Sequence, residues 1–537
     1  MKRKTVWAAA GLTLLVLLVL FVGVMGLRHP LPARAEKQTA PECEPEWWHD
    51  PPRLTADEVA AQQWLADITY RLPAEKEAEY WDVGGSQHGN FSIRYQAAFS
   101  GYAAAALGMR TPAYVGLTER ILSNTVARVA QKKAWRYVQS YWADEPWFPD
   151  PCARGNVMFT GHLMMLMALH EALSGQRLFS RDGVELVWDD ARRFTYTTSR
   201  LANVAAEQIR AGKGGITCEP GLIFFACNNH PHVTFRLLEG MGYGEWRAES
   251  EKWERWALAG LRATAGGGAF RLVHHEKSGL SMPRGMPGFD GWCLLWYEPW
   301  ASSPLNSRRL WQLAKKKINW NELSGMPDER PERTECSDCC NPLKVPTAAT
   351  VSFLAAAARA CGDDGTAGRL EMWLDRHFRK DERGRMWLDT HKEWRIGASA
   401  NRFIALAQAQ GSTLRPMIRR PLPRAYFEGV LLEKVWPDDT PVYRACRDEQ
   451  DALLLEIDGR GSALALTVRH AGEAPEITIE NGGGSVWEGT TGTLRLGPCG
   501  RVTIRIDALK KTGYGNGTVR LEAGQGLSRL GSCRQEH

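Results

Sequence analysis

Between residues 57 and 411 the chain carries one helical pattern after another, and that series leaves few folds open. DEVAAQQWLADITYRL, IRYQAAFSGYAAAALG, VGLTERILSNTVARVAQ, VMFTGHLMMLMALHEALSG, SRLANVAAEQIRAG and EKWERWALAGLRATAGG repeat apolar residues at three- and four-residue spacing. TAATVSFLAAAARACG, RLEMWLDRHFRK and ASANRFIALAQAQG continue the pattern. Several of these segments stop at glycine, a common helix C-terminal signal. Medium helices in series build either a solenoid or a closed ring of helical hairpins, an (α/α) barrel. No fixed repeat length is visible, which counts against the solenoid. A closed ring has a funnel at one end, and the unusual residues are expected in or beside the loops that line it.

After about residue 420 the text changes. LLLEID, SALALTVRH, EITIEN, TLRLG, RVTIRID and TVRLEA alternate apolar and polar residues between Gly, Asn and Pro. This predicts a small C-terminal antiparallel β-sandwich. At the other end, MKRK precedes an uncharged apolar run from Val6 to Leu27. About 20 apolar residues span a bilayer. The run exceeds an ordinary signal-peptide core, although Ala33-Arg34-Ala35 offers a cleavage site. The expected organisation is a signal anchor or signal peptide at 1–27, a linker at 28–57, a helical catalytic domain at 58–418 and the β-domain at 419–537. The expected location is periplasmic, with the N-terminal helix holding the chain to the inner membrane.

The net charge of +6 comes largely from the N-terminus. Residues 1–35 hold Lys2, Arg3, Lys4, Arg28 and Arg34 and no acid, which leaves 62 basic against 61 acidic groups in the remainder. That balance argues against nucleic acid as a partner. Trp is abundant, with 22 residues clustered at Trp47-Trp48, Trp135, Trp142, Trp147, Trp292, Trp296 and Trp300. The cluster fits either a cavity for an apolar or sugar-like ligand or a Trp-rich helical core.

Twelve cysteines in an exported chain point to disulfides, but their spacing is irregular. Cys336, Cys339 and Cys340 approach a zinc spacing and lack a second ligand pair nearby. No metal site and no cofactor are expected. Cys218 and Cys227 lie nine residues apart in GITCEPGLIFFACNNHPH. They read as a disulfide, two core thiols or two working thiols. His162, near the start of an apolar helix, is most simply a hydrogen-bonded structural residue. Asp67 on a helix is most simply a cap or a salt-bridge partner. Tyr95 and Tyr102 read as phenol donors or core aromatics. Asp144, Glu145, Asp150, Glu219 and Asp290 lie in Trp- and Pro-rich text, which keeps a carbohydrate-active enzyme on an (α/α) barrel in play.

IRYQAAFSGYAAAAL, GNVMFTGHLMMLMAL, GITCEPGLIFFACNN and, more weakly, GGGAFRLVHHEKSGLSMP together resemble the linalool dehydratase-isomerases. The order along the chain agrees, over roughly residues 58–415. The resemblance implies an (α/α)6 barrel and cofactor-free loss or addition of water on a small allylic alcohol. It implies Cys218 and Cys227 as the thiol pair facing the ligand, His162 handling the hydroxyl, and Asp67 as the catalytic aspartate. Tyr95 would line the pocket, with Glu219 and Asn228 supporting the cysteines at the substrate. The family's second tyrosine has no clear match. Pro73 stands near its place, with Tyr70, Tyr80 and His88 close by, and His230 and His232 bring polar text after the second cysteine.

The expected partners are a small hydrophobic alcohol, the membrane through the N-terminal segment, and further copies of the chain as an open alternative. A non-catalytic periplasmic binding protein is the third reading.

Overall fold

The computed structural model describes residues 46–81, 92–212, 214–261, 269–282, 287–318, 348–382, 384–388, 392–409, 413–470 and 475–507. The N-terminal apolar run, His88 and the cysteines at 336, 339 and 340 lie outside these residues.

Twelve helices carry the body: α1 Ala56–Ile68, α2 Ser92–Gly108, α3 Val115–Ala130, α4 Val157–Ser174, α5 Thr198–Ala211, α6 Phe225–Gly240, α7 Arg247–Gly260, α8 Pro287–Tyr297, α9 Pro304–Lys315, α10 Ala348–Ala360, α11 Asp364–Asp375 and α12 Lys392–Gln408. Their starts follow local chemistry. Thr55 and Glu58 form a reciprocal capping box on α1, with Glu58 N–H donating to Thr55 Oγ1 at 3.2 Å and Thr55 N–H to Glu58 Oε2 at 2.7 Å. Thr197 caps α5, and Ser303 caps α9 with Pro304 in its first turn.

Two kinds of helix alternate. The even-numbered helices pack on one another in a closed cycle: α2 on α4, α4 on α6, α6 on α8, α8 on α10, α10 on α12, and α12 back on α2. The odd-numbered helices lie against their sequence neighbours in that cycle. The division is legible in side chains. Every residue of α4 is buried, and α10 is built largely of buried alanines, whereas α5 and α9 bury one face. Small residues let the inner helices approach. A Cβ on Gly291 of α8 would stand 2.9 Å from the Leu354 backbone of α10. Among the described residues α4 alone is long and apolar enough to cross a membrane, and its complete burial makes it a core helix.

α6 and α8 are not apparent from periodicity. Pro231 lies inside α6, and α8 is written in Gly, Trp and Cys. Burial from both sides holds these segments helical where propensity alone does not.

Three short antiparallel pairs decorate the body: β1 Val184–Val187 with β2 Arg193–Tyr196, β3 Leu222–Ile223 with β4 His274–His275, and β5 Phe378–Lys380 with β6 Met386–Leu388. The C-terminal part is one six-stranded antiparallel sheet of β7 Leu431–Trp436, β8 Val442–Arg447, β9 Leu453–Arg469, β10 Glu476–Glu480, β11 Ser485–Glu488 and β12 Thr493–Asp507. LLLEID and SALALTVRH, which read as two short strands, form the single 17-residue β9. Positive φ at Arg460 and Gly461 marks a break within it, and the β9–β12 register shifts at Cys499. On one side of that break β9 and β12 pair with β8 and β10; on the other they pair with β7 and β11. TVRLEA lies outside the described residues.

The stretch expected to be a linker is packed from Trp47 onward. Trp48 is buried, Trp47 Nε1 donates to Arg420 O at 2.9 Å, and Leu54 N–H donates to Tyr443 O at 2.9 Å. Two indoles carry too much apolar area for a solvated tether. The sheet also sits closely on the helices. Leu432 N–H donates to Ala113 O, and Asp438 accepts from Arg71, Arg120 and Tyr70.

Candidate active site

Cys218 lies in the loop between α5 and α6, and Cys227 lies in the first turn of α6. The loop is held at both ends. Cys218 N–H donates to Leu222 O at 2.7 Å, across a turn in which Gly221 has φ +72°. Val157 N–H of α4 donates to Thr217 O at 3.1 Å. Asn228 fastens the rest: its Oδ1 accepts from Ile216 N–H at 2.7 Å, and its Nδ2 donates to Ile216 O and Phe224 O, each at 2.9 Å. With its carboxamide spent on backbone, Asn228 clamps the loop rather than presenting a polar group to a ligand.

Fastened this way, the two thiols lie close enough to act on each other's ionisation. Both are buried, and all seven cysteines among the described residues are buried free thiols. Burial pushes the Cys218 thiol well above its ordinary range, and the nearby Cys227 and Glu219 push the same way. The Arg94 guanidinium pulls against them. Cys218 is therefore a protonated thiol at neutral pH.

α2 contributes Arg94 and Tyr95. Arg94 is fully buried, hydrogen-bonded to Tyr95, and lies over the rings of Tyr95 and Tyr137 at 4.5 and 5.0 Å. Burial also raises the Tyr95 phenol, which feels Arg94, both thiols and Glu219. Tyr95 joins an aromatic wall: its ring stands edge-on to His162 and to Trp292, each at 5.5 Å, and Trp292 stacks on Phe353 at 5.2 Å. Trp292 and Trp296 thus belong to the site, whereas Trp135 packs on Trp188.

His162 on α4 is fully buried, and its Nδ1 lies 2.7 Å from the Tyr102 hydroxyl. Burial drives its pKa well below the usual imidazole range, with His230 and Arg94 adding to the fall. It is a neutral imidazole. Its Nε2 is buried without a hydrogen-bond partner among the described residues.

Asp67 is not with this group. On α1 it pairs with Arg71 at 3.2 Å and with Arg385 at 2.5 Å, so the salt-bridge reading of this residue is the one found. Both of its carboxylate oxygens are engaged by those guanidinium groups. Of the five carboxylates weighed for sugar chemistry, Asp290 is committed to the backbone: it accepts from Ala269 N–H and Phe270 N–H, both at 2.9 Å.

Among the described residues, Cys218 and Glu219 come from the loop between α5 and α6, and Arg94, Tyr95, His162 and Cys227 come from α2, α4 and α6. Sequence reasoning passed over Arg94, Tyr137 and Cys293. Arg94 had a visible signal, a lone cation in an apolar helix without an acid beside it. Cys293 is a buried thiol that feels Asp290 and Cys227, and nothing in its local text distinguishes it from a core residue.

The profile of the linalool dehydratase/isomerase family matches residues 94–394, more than half of the chain. The chain belongs to the linalool dehydratase/isomerase family. The match begins at Arg94 and includes Tyr95, His162, Cys218, Glu219, Cys227 and Asn228. Asp67 and the C-terminal sheet fall outside it. Among solved structures, a protein described as a novel alpha-amylase from Clostridium perfringens is similar over 66% of this chain and 98% of that one, at 10% identity and a TM-score of 0.39. A likeness that loose carries no argument here. Family membership supports a dehydratase/isomerase class of activity for the chain.

Proposed function

We propose that this protein is a cofactor-free hydro-lyase/isomerase that removes or adds water on a small allylic, terpene-like alcohol, in a pocket bounded by Cys218, Cys227, Tyr95 and His162. The observation that carries the reading is the buried pair of neighbouring thiols beside a buried phenol, with an imidazole whose Nε2 is unpartnered among the described residues on the same phenol's ring, in a chain of this family. The closed cycle of six inner helices flanked by six outer ones is what an (α/α)6 barrel requires, and the site lies among its inner helices. We place the barrel in the periplasm, tethered by the N-terminal apolar segment.

Loss of water from an allylic alcohol needs a proton for the departing hydroxyl and a base for a neighbouring C–H. Cys218 remains protonated and serves as the acid. His162 with Nδ1–H donating to Tyr102 keeps a lone pair on Nε2 and serves as the base. Tyr95 and Arg94 steady the charge that appears on sulfur. The ring faces of Trp292, Phe99 and Phe353 favour a cation-like transition state and keep water from it. Positioned acid–base groups of this kind typically contribute about 10²–10⁴-fold.

The test is to incubate the full chain, purified in detergent under anaerobic reducing conditions, with a panel of small allylic and tertiary alcohols, and to read products by gas chromatography with mass detection. Alkene or rearranged alcohol from the wild type, lost in Cys218→Ala and Cys227→Ala, is expected. Turnover that survives both substitutions overturns the thiol assignment. Inertness towards every alcohol, with both thiols free and the fold intact, overturns the substrate class.

A further inference from the structure

His230 has no role in the reaction as described above, yet it stands inside the site. It follows Cys227 by three residues on α6, so the two side chains share a helix face. Its ring lies 4.1 Å from that of His162, centroid to centroid, at 41°. Tyr102 lies against both rings, at 5.9 Å from His162 and 5.8 Å from His230. Gly161 makes the approach possible: a Cβ there would sit 3.1 Å from Cβ of His230.

The hydrogen bonding of the pair is lopsided in the same way on both members. Nδ1 of His162 meets the Tyr102 hydroxyl, and Nδ1 of His230 lies 3.4 Å from the Met165 sulfur. Nε2 of each is buried with no partner among the described residues. Native interiors rarely leave one such atom unpaired, and here there are two on touching rings.

The surroundings set the charge the pair can hold. α2 presents Arg94, Tyr95 and Tyr102, α4 presents His162, and α6 presents Cys227; α8 packs Trp292 and Trp296 against the group. Among the described residues no carboxylate is a ring or hydrogen-bond partner of either imidazole, and the charged side chain that acts on His162 is Arg94. Two imidazoles in contact cannot both be protonated there.

We propose that His162 and His230 form a coupled imidazole pair that holds at most one proton, with His230 acting as the positioning residue that sets the orientation of His162 and returns its proton to the thiol pair. This rests on the dehydratase reading above. In the forward reaction the C–H proton goes to His162 Nε2, and the Cys218 proton leaves with the hydroxyl as water. The imidazole pair then returns one proton to the thiolate by way of Cys227, so each group ends as it began and nothing is oxidised or reduced.

The test uses the full chain in detergent, labelled with ¹⁵N-histidine, and follows the imidazole nitrogens against pH in the wild type, in His230→Gln and in His230→Phe. Removal of the second imidazole should raise the His162 titration midpoint by about one pH unit, since the proton is no longer resisted by a neighbour. The same variants should lower kcat about 10²-fold with KM within a few-fold of wild type. A His162 midpoint that does not move in a folded variant overturns the coupling, and an unchanged kcat overturns the return path. The glutamine variant keeps a polar side chain if phenylalanine does not fold. If the wild type turns over no alcohol, the dehydratase reading fails, and the titration still decides whether the imidazoles are coupled.

Discussion

Asn228 offers the sharpest test of how the thiol pair is built. Its carboxamide is fully buried and makes three hydrogen bonds to the loop that carries Cys218. Asn228→Ala leaves Ile216 N–H and Ile216 O without these partners, while Phe224 O keeps its helical bond from Asn228 N–H. A buried backbone group left unpaired costs about 1–3 kcal/mol, so two of them cost roughly 2–6 kcal/mol. That is a large share of the ~5–15 kcal/mol that separates folded from unfolded chains. The assay is urea unfolding of the full chain followed by tryptophan fluorescence, paired with pulse alkylation of Cys218 read by mass spectrometry. The midpoint should fall and Cys218 should label faster, since the loop is released from α6. Asn228→Asp separates the two halves of the clamp: it preserves the acceptor for Ile216 N–H but sets a carboxylate against two carbonyl oxygens, so it should be no better than alanine at neutral pH. A loss below about 0.5 kcal/mol, with Cys218 labelling unchanged, refutes the clamp, because a surface substitution would do as much.

Three further outcomes follow from the same packing. His162, His230 and His232 are buried neutral with pKa values driven down by burial, His230 to about 3. The stability this gives is complete above the unfolded imidazole value near 6.5 and is lost as pH falls below it, by up to about 4 kcal/mol per pH unit for three such groups; an unfolding midpoint that stays flat from pH 7 to pH 5 contradicts neutral burial. Arg94→Met removes the cation that opposes the rise of the Cys218 thiol, so alkylation of Cys218 at pH 9 should slow about tenfold, and an unchanged rate places the guanidinium outside the thiol's field. Asp438→Asn loosens the sheet from α1 and α3 and should cost about 1–2 kcal/mol, with faster amide exchange confined to β7 and its neighbours; exchange spread evenly over the chain means the contact is not local.

The helical body was legible in the sequence wherever apolar spacing alone decides. α2, α4 and α10 announce themselves because small and apolar residues recur through every turn. α6 and α8 do not, because Pro231 and a run of Gly, Trp and Cys look like loop text until burial on both sides is known. Cys218, Cys227, His162 and Tyr95 were legible as a set through their flanking motifs. Asp67 was not, because its partners Arg71 and Arg385 decide its role and one of them lies more than 300 residues away. Arg94 and His230 left only a faint trace, a lone cation in an apolar helix and polar text after a cysteine. What a buried cation or imidazole does depends on which helices pack around it.

Arg94 poses the remaining question, since a neutral alcohol needs no guanidinium. The charges around it supply an answer. Glu219 and Arg94 act in opposite directions on the same groups, Cys218, Tyr95 and Tyr137. With the thiols and phenols protonated the two charges offset each other, and the site can be dry without a large uncompensated charge. In the proposed reaction Cys218 gives its proton to a departing hydroxyl, and a thiolate then appears in that dry space, where an isolated anion would be prohibitive. Arg94 is already there, held over Tyr95 and Tyr137, and needs no reorganisation to meet it. A thiol raised by burial is a poor acid until its conjugate base is stabilised, and the fixed cation supplies that stabilisation at the step that creates the base. On the proposed reaction the guanidinium serves the transition state of proton transfer rather than the ground-state alcohol, and its cost of burial is offset by the aromatic faces it lies over.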